Sequence, residues 1–314
     1  MLNRTFNFRT DLASERRDIF QRANNLDEIE GIETTKEDIN ELIKVERVKI
    51  TNPNGEQAIG KPMGNYITID VKKLKIAGEE EIQKASEVVT SEIKKLIDTH
   101  IQKQEEILVV GLGNIYVTPD SLGPKVINEI DVTRHLINYL PQYVEEGTRP
   151  VSAVAPGVLG TTGIETIEIL KGIVDNVKPK LVIVIDALAS RSIDRISSTI
   201  QISDTGIVPG AGVGNTRKEI SKASLGIPVI ALGIPTVVDL ATIVSDGINI
   251  FIEKLQQEAK SNENLNKLKE EDNYEQVKEA LNVGEYNMIV TPKEIDDLIE
   301  NMKDIVARGI NFAV

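Results

Sequence analysis

The chain contains no cysteine and no tryptophan, and its only histidines are His100 and His135. Without thiols there can be no disulfide, no thiolate metal site and no cysteine nucleophile. Two histidines so far apart in sequence exclude an H-E-x-x-H zinc motif and any His-rich metal centre. Positive charge is also scarce: 36 Lys and Arg stand against 49 Asp and Glu, a formal net charge of −13. A field of that sign repels phosphate backbones and anionic bilayers, so neither nucleic acid nor a membrane is expected as a direct partner. No apolar run approaches the roughly 20 residues of a membrane span, and the opening MLNRTFNFRTDLASERRD lacks the apolar core of a signal peptide. The expected compartment is the cytoplasm. Any chemistry must be carried by Asp, Glu, Lys, Ser or Thr.

What is present is a globular balance, 40% hydrophobic and 27% charged residues over 314 positions. The first twenty residues are polar and basic and read as a tail or a removable segment. Between residues 44 and 76 two alternating stretches, VERVKIT and NYITIDVKKLKI, read as strands separated by a loop. From Glu79 to Gln102 apolar residues recur at helical spacing. After Glu106 come four short continuous apolar runs, ILVVGLGN, VSAVAPG, LVIVIDALA and PVIALGIP, each followed by a helical pattern. Strands that are apolar on both faces belong to a sheet covered by helices on both sides. The expected fold class is therefore α/β, a mostly parallel twisted sheet flanked by helices, with its core over about residues 105–255, additional N-terminal strands and a charged helical excursion over 254–282. A strand in YNMIVTP and a helix in KEIDDLIENMKDIVARG close the chain.

In such a sheet the functional crevice lies beyond the carboxyl ends of the strands. The residues there are Gly111, Gly113, Asn114 and Asp120 after the first run, Pro156, Gly157, Gly160, Thr161 and Thr162 after the second, and Asp186 after the third. Two carboxylates thus converge on one edge. Burial raises a carboxyl pKa and a second carboxylate raises it further, so such a pair can share a proton and divide acid and base work on a water and a carbonyl. An aspartate at that position also serves as a cap for the turn ALASRS, and both readings of Asp186 stand at this point. The glycine-dense loop over 204–215, with Gly210 and Gly212, is long enough to be a substrate-gripping segment. GLGN lacks the third glycine of a dinucleotide fingerprint, because Tyr116 occupies its place. Gly55 to Lys61 spells G-x-x-x-x-G-K, but Pro62 follows where a hydroxyl would bind magnesium, so a hairpin loop is expected there. Ser91 and Lys94 spell S-x-x-K on a charged helix, and both histidines are expected to be packing residues.

VVGLGNIYVTPDSLGPKV, VSAVAPGVLGTTGIET, LVIVIDALASRSIDRISSTIQISDTGIVPGAGVGN and RTDLASE together resemble the germination proteases of spore-forming bacteria, over almost the whole chain. The resemblance implies an atypical aspartic-type endopeptidase with Asp120 and Asp186 as its catalytic pair. It implies substrates that are small acid-soluble spore proteins, cut after an acidic residue in a motif of the type Glu, then Ile or Phe, then Ala-Ser-Glu. It also implies a zymogen that assembles as a homotetramer in the forespore and spore core and sheds an N-terminal propeptide, here residues 1–11, to leave a single catalytic domain over 12–314. Thr10-Asp11-Leu12-Ala13-Ser14-Glu15 is similar to that substrate motif, which places self-cleavage between Asp11 and Leu12. The core is also similar to hydrogenase-maturation endopeptidases, which hold a metal with two acids and a histidine. No histidine follows Asp186, so catalysis without metal or other cofactor is expected. The competing readings are a metal-dependent maturation-type endopeptidase and a non-catalytic nucleotide-binding α/β module.

Overall fold

A computed structural model describes residues 10–72, 74, 78–210, 217–258, 277, 279–281 and 288–314. Its centre is one mixed nine-stranded sheet, comprising β1 (Ile32–Asp38), β2 (Ile43–Ile50), β3 (Gly64–Val71), β4 (Ile107–Gly111), β5 (Val151–Val154), β6 (Leu181–Ser190), β7 (Thr199–Ser203), β8 (Val229–Asp239) and β9 (Ile289–Val290). The strand order is β1-β2-β3-β7-β8-β6-β4-β5, with β9 beside β8. Strands β8, β6, β4 and β5 run parallel, and these are the four apolar runs read from the sequence. The N-terminal strands extend that block antiparallel through β7. The α/β class with helices on both faces is as expected.

The parallel strands are apolar throughout because both their faces are covered. Ile107 and Val109 of β4, with Leu181, Ile183 and Ile185 of β6, face one core, closed by the helices Glu79–His100 and Ile295–Asn311. Leu108, Val110, Val182 and Val184 face the other, beneath the helix Thr166–Val177. Burying each such side chain stabilises by about 1.5–3 kcal/mol, and a one-residue slip would exchange the two faces, so register is firmly set.

Three local expectations are corrected. Residues 10–20 are not a tail: Thr10 to Glu15 and Arg17 are buried, and a helix spans Ala13–Asn24, while residues 1–9 lie outside the described residues. The loop between β2 and β3 contains a helix, Pro53–Ile59, because Asn52 caps it by accepting from the N–H groups of Asn54 and Gly55. Both histidines are exposed, with His100 Nε2 3.9 Å from Asp204. Most of the charged excursion over 254–282 lies outside the described residues.

Candidate active site

Beyond the carboxyl end of β4 the chain turns through Leu112, Gly113 and Asn114 and then folds back, so that Asp120 lies against Asn114. The Asn114 N–H donates both to the Asp120 carboxylate at 2.8 Å and to its carbonyl at 3.1 Å. This return requires glycine at 113: its φ is +112°, and a Cβ there would lie 2.0 Å from the Asp120 carbonyl oxygen. The loop thereby places one carboxylate at the cleft. Asp186 is presented differently. It lies inside β6, which continues to Ser190, so the strand does not end there and the reading of Asp186 as a helix cap is excluded. Alternation along β6 turns its side chain to the same face as Val182 and Val184, and there it meets a cleft of about 630 Å³ that Asp120 also lines.

Both carboxyls are pushed above the ordinary value. For Asp120 the cause is burial, opposed by the Asn114 N–H. For Asp186 the shift is large: burial comes first, then the negative charges of Asp120 and Asp11, opposed by the Ala187 N–H at 2.9 Å. The sign for stability follows. A carboxyl that holds its proton more tightly folded than unfolded costs stability as pH rises above the ordinary carboxyl value. Asp186→Asn removes that cost, so the variant is expected to melt about 2–4 °C above wild type near pH 7.5, with the gap closing towards pH 4, as read by thermal unfolding across that range. A wild-type advantage at pH 7.5 would show that Asp186 is not held protonated.

The third acid near Asp186, Asp11, belongs to the N-terminal segment that threads the site. Asp11 N–H donates to the Ala189 carbonyl, and the Ala189 N–H donates to the Asp11 carboxylate, both at 3.1 Å. Gln201 of β7 donates from Nε2 to the Asp11 carbonyl at 3.1 Å and accepts the Ala13 N–H at 2.6 Å. Thr10 bonds the Glu15 carboxylate through its hydroxyl, and that carboxylate accepts the Arg191 N–H at 2.8 Å. Burial raises the Glu15 carboxyl, while these partners and the charge of Arg195 oppose the rise. Arg16 ties the segment down by donating to the carbonyls of Thr10 and Gly60, at 2.9 and 2.8 Å. A second, smaller cavity holds Arg16 and Lys61 beside Asp11. Lys61 is lowered to about 8, by burial first and then by the charge of Arg16, with Asp11 opposing.

Of the residues read from sequence, Gly113, Asn114, Asp120, Gly157, Gly160, Asp186 and Gly210 line the cleft, together with Asp11. Gly111, Pro156, Thr161 and Thr162 do not. Gly111 is buried where β4 passes the helix Leu122–Ile127, and a Cβ on it would meet the Gly123 carbonyl oxygen at 2.2 Å. Thr161 and Thr162 turn their hydroxyls to the Val158 carbonyl and stabilise a turn. Leu12 is fully buried beside Asp11, and Gly212 lies outside the described residues. Three residues were missed. Lys61 ends the string whose following Pro62 excludes a phosphate loop, and the string gives no other signal. Arg16 carried no motif. Gln201 carried a signal, a polar residue at an alternate position between Ile200 and Ile202, which both face the core. Among the described residues no group of three or more His, Asp or Glu is disposed to hold a metal, and no helix is long and apolar enough to cross a membrane.

Fold and site together define an α/β protein with a carboxylate pair in a cleft at the strand ends, into which Asp11 of its own N-terminal segment also reaches. The family model described as germination protease matches residues 9–267 and 264–314. The chain is 46% identical to the germination protease of Clostridium perfringens over 313 residues, which cover 98% of this chain and 95% of the relative. It is 48% identical to that of Caldanaerobacter subterraneus subsp. tengcongensis and 42% to that of Priestia megaterium, each covering 98% of this chain and 94% of the relative. The chain belongs to the germination protease family.

Proposed function

We propose that the protein is an endopeptidase of spore germination that hydrolyses small acid-soluble spore proteins with Asp120 and Asp186 as its acid–base pair, and that it is made as a zymogen cutting itself between Asp11 and Leu12. One observation carries this reading: the segment that resembles the substrate motif brings Asp11 into the cleft, with its charge acting directly on Asp186. In this reading Asp186 holds the proton at neutral pH and Asp120, the less displaced of the two, takes a proton from water. The residues after the bond are read in turn: Leu12 is buried, Ala13 is held by Gln201, Ser14 lies 3.4 Å from the Thr68 hydroxyl, and Glu15 is held by Arg191. The residue before the bond faces Arg16 and Lys61, cations suited to an acidic side chain. Residues 1–11 are then the propeptide, and the homotetramer and the spore-core location belong to the same proposal.

The direct test is incubation of the purified chain with a small acid-soluble spore protein and mapping of the cut bonds. Cuts after acidic residues preceding an Ile-Ala-Ser-Glu or Phe-Ala-Ser-Glu stretch are expected, and an intact substrate would refute the proposal. Catalysis by two carboxyls with no histidine in the cleft also predicts that prolonged dialysis against EDTA leaves the cleavage rate unchanged. Loss of activity restored by one particular divalent ion would instead assign Asp120 and Asp186 as ligands.

A further inference from the structure

Across the sheet, Asp186 of β6, Gly233 of β8 and Gln201 of β7 are direct register partners. Neighbours in register point to the same face, so the carboxyl and the carboxamide both project towards the N-terminal segment, with a glycine between them. Gly233 has no side chain to fill the gap, and Leu188 covers it instead. Gln201 is buried and spends both ends of its amide on one segment: Nε2 on the Asp11 carbonyl at 3.1 Å and Oε1 on the Ala13 N–H at 2.6 Å. The partners fix which end is which, because a carbonyl oxygen can only accept and a backbone N–H can only donate.

We propose that Gln201 is a catalytic residue whose Nε2–H polarises the carbonyl of the bond that is cut; this rests on the reading that the bond is Asp11–Leu12. Attack by water forms a C–O bond at the Asp11 carbonyl carbon and sends one water proton to the Asp120 carboxylate. The π electrons of the carbonyl move onto its oxygen, the atom Gln201 already faces. Collapse breaks the C–N bond, the proton on Asp186 goes to the Leu12 nitrogen, and the products are a carboxyl group on Asp11 and an amine on Leu12. A donor aimed beforehand at the oxygen that gains charge assists the step without reorganisation, and losing one such donor typically costs about 10²–10³-fold in rate. The second contact, at Ala13, holds the chain on the far side of the bond, so one side chain spans the cut position.

The test follows self-cleavage of the full-length chain by mass spectrometry, in wild type, Gln201→Glu, Gln201→Met and Asp186→Asn. It is paired with hydrogen exchange at the Ala13 amide and a thermal unfolding curve. Gln201→Met removes the donor for Asp11 together with the acceptor for Ala13. Gln201→Glu keeps the acceptor and, protonated by burial beside Asp11 and Asp186, offers a carboxyl O–H to the Asp11 carbonyl in place of the amide N–H. Gln201→Met is expected to fold and to cut about 10²–10³-fold more slowly, whereas Gln201→Glu should keep Ala13 slowly exchanging and recover part of the rate on the acidic side, where its carboxyl is protonated. Wild-type rate in folded Gln201→Met, with Asp186→Asn silent, overturns this proposal and leaves the aspartate reading standing. A Gln201→Glu variant that keeps Ala13 protected and is as slow as Gln201→Met at every pH also overturns it, because Gln201 would then only hold the segment down. An uncut Asp11–Leu12 bond in wild type, or cutting that persists in Asp186→Asn, overturns the underlying reading and this proposal with it.

Discussion

Asp120→Asn and Asp186→Asn are each expected to abolish cleavage of a small acid-soluble spore protein, with at least ~10³-fold loss in kcat/KM and no loss of the fold. The two positions hold the same residue type in unequal surroundings. Asp186 is 5% exposed, with two further carboxylates acting on it and one N–H for compensation, so its carboxyl is held well above the ordinary value. Asp120 is partly open and receives the Asn114 N–H, which favours its charged form. An asparagine at 120 can no longer take a proton from water, and an asparagine at 186 has none to deliver to the leaving nitrogen. Both substitutions are nearly isosteric and keep an oxygen that can accept from Asn114 or Ala187. Each loss should therefore fall on rate, and the double variant should be hardly slower than either single one, because the pair acts as a unit. Steady-state cleavage with thermal unfolding of each variant checks this. Near-normal turnover in either folded variant would remove that aspartate from the mechanism.

The parallel half of the sheet and both aspartates are legible in the sequence because their signals are local. An apolar run of five residues ending in Gly or Asp records a strand covered on both faces and the position of the crevice at its end. Strand β1 is not legible, since IETTKED lies almost wholly exposed at the sheet edge and shows no apolar alternation. The N-terminal segment is illegible for a different reason. Thr10, Asp11 and Glu15 look like the solvated start of a chain, yet Asp11 and Glu15 are bonded to Ala189, Arg191 and Gln201, up to 190 residues away. Polar residues with distant partners carry no periodic signature. Resemblance to the substrate motif pointed to the Asp11–Leu12 bond without showing that it lies beside Asp186, a contact made only when β6, β7 and β8 come into register.

Self-cleavage between Asp11 and Leu12 is expected to be slow at neutral pH and to accelerate about tenfold or more on mild acidification. The Asp11 charge is among those that raise Asp186, so at neutrality the bond to be cut is flanked by acids, one of them its own residue's side chain. Negative charge developing on the Asp11 carbonyl oxygen meets that repulsion, and a tenfold rate change needs only about 1.4 kcal/mol of relief. Lowering the pH protonates the group of three further and supplies it. Raising the pH acts in the opposite sense twice: the acids lose their remaining proton, and Lys61, at about 8, loses the positive charge that helps to offset Asp11. The rate should therefore fall steadily from about pH 5.5 to pH 9, and at still lower pH it should fall again as Asp120, needed as a base, becomes protonated. Mass spectrometry of full-length protein incubated across this range measures the profile, with Asp186→Asn as the control for spontaneous hydrolysis after aspartate. A cut that speeds up towards pH 9, or one equal in the control at every pH, would show that the acids around Asp11 do not hold the zymogen in check.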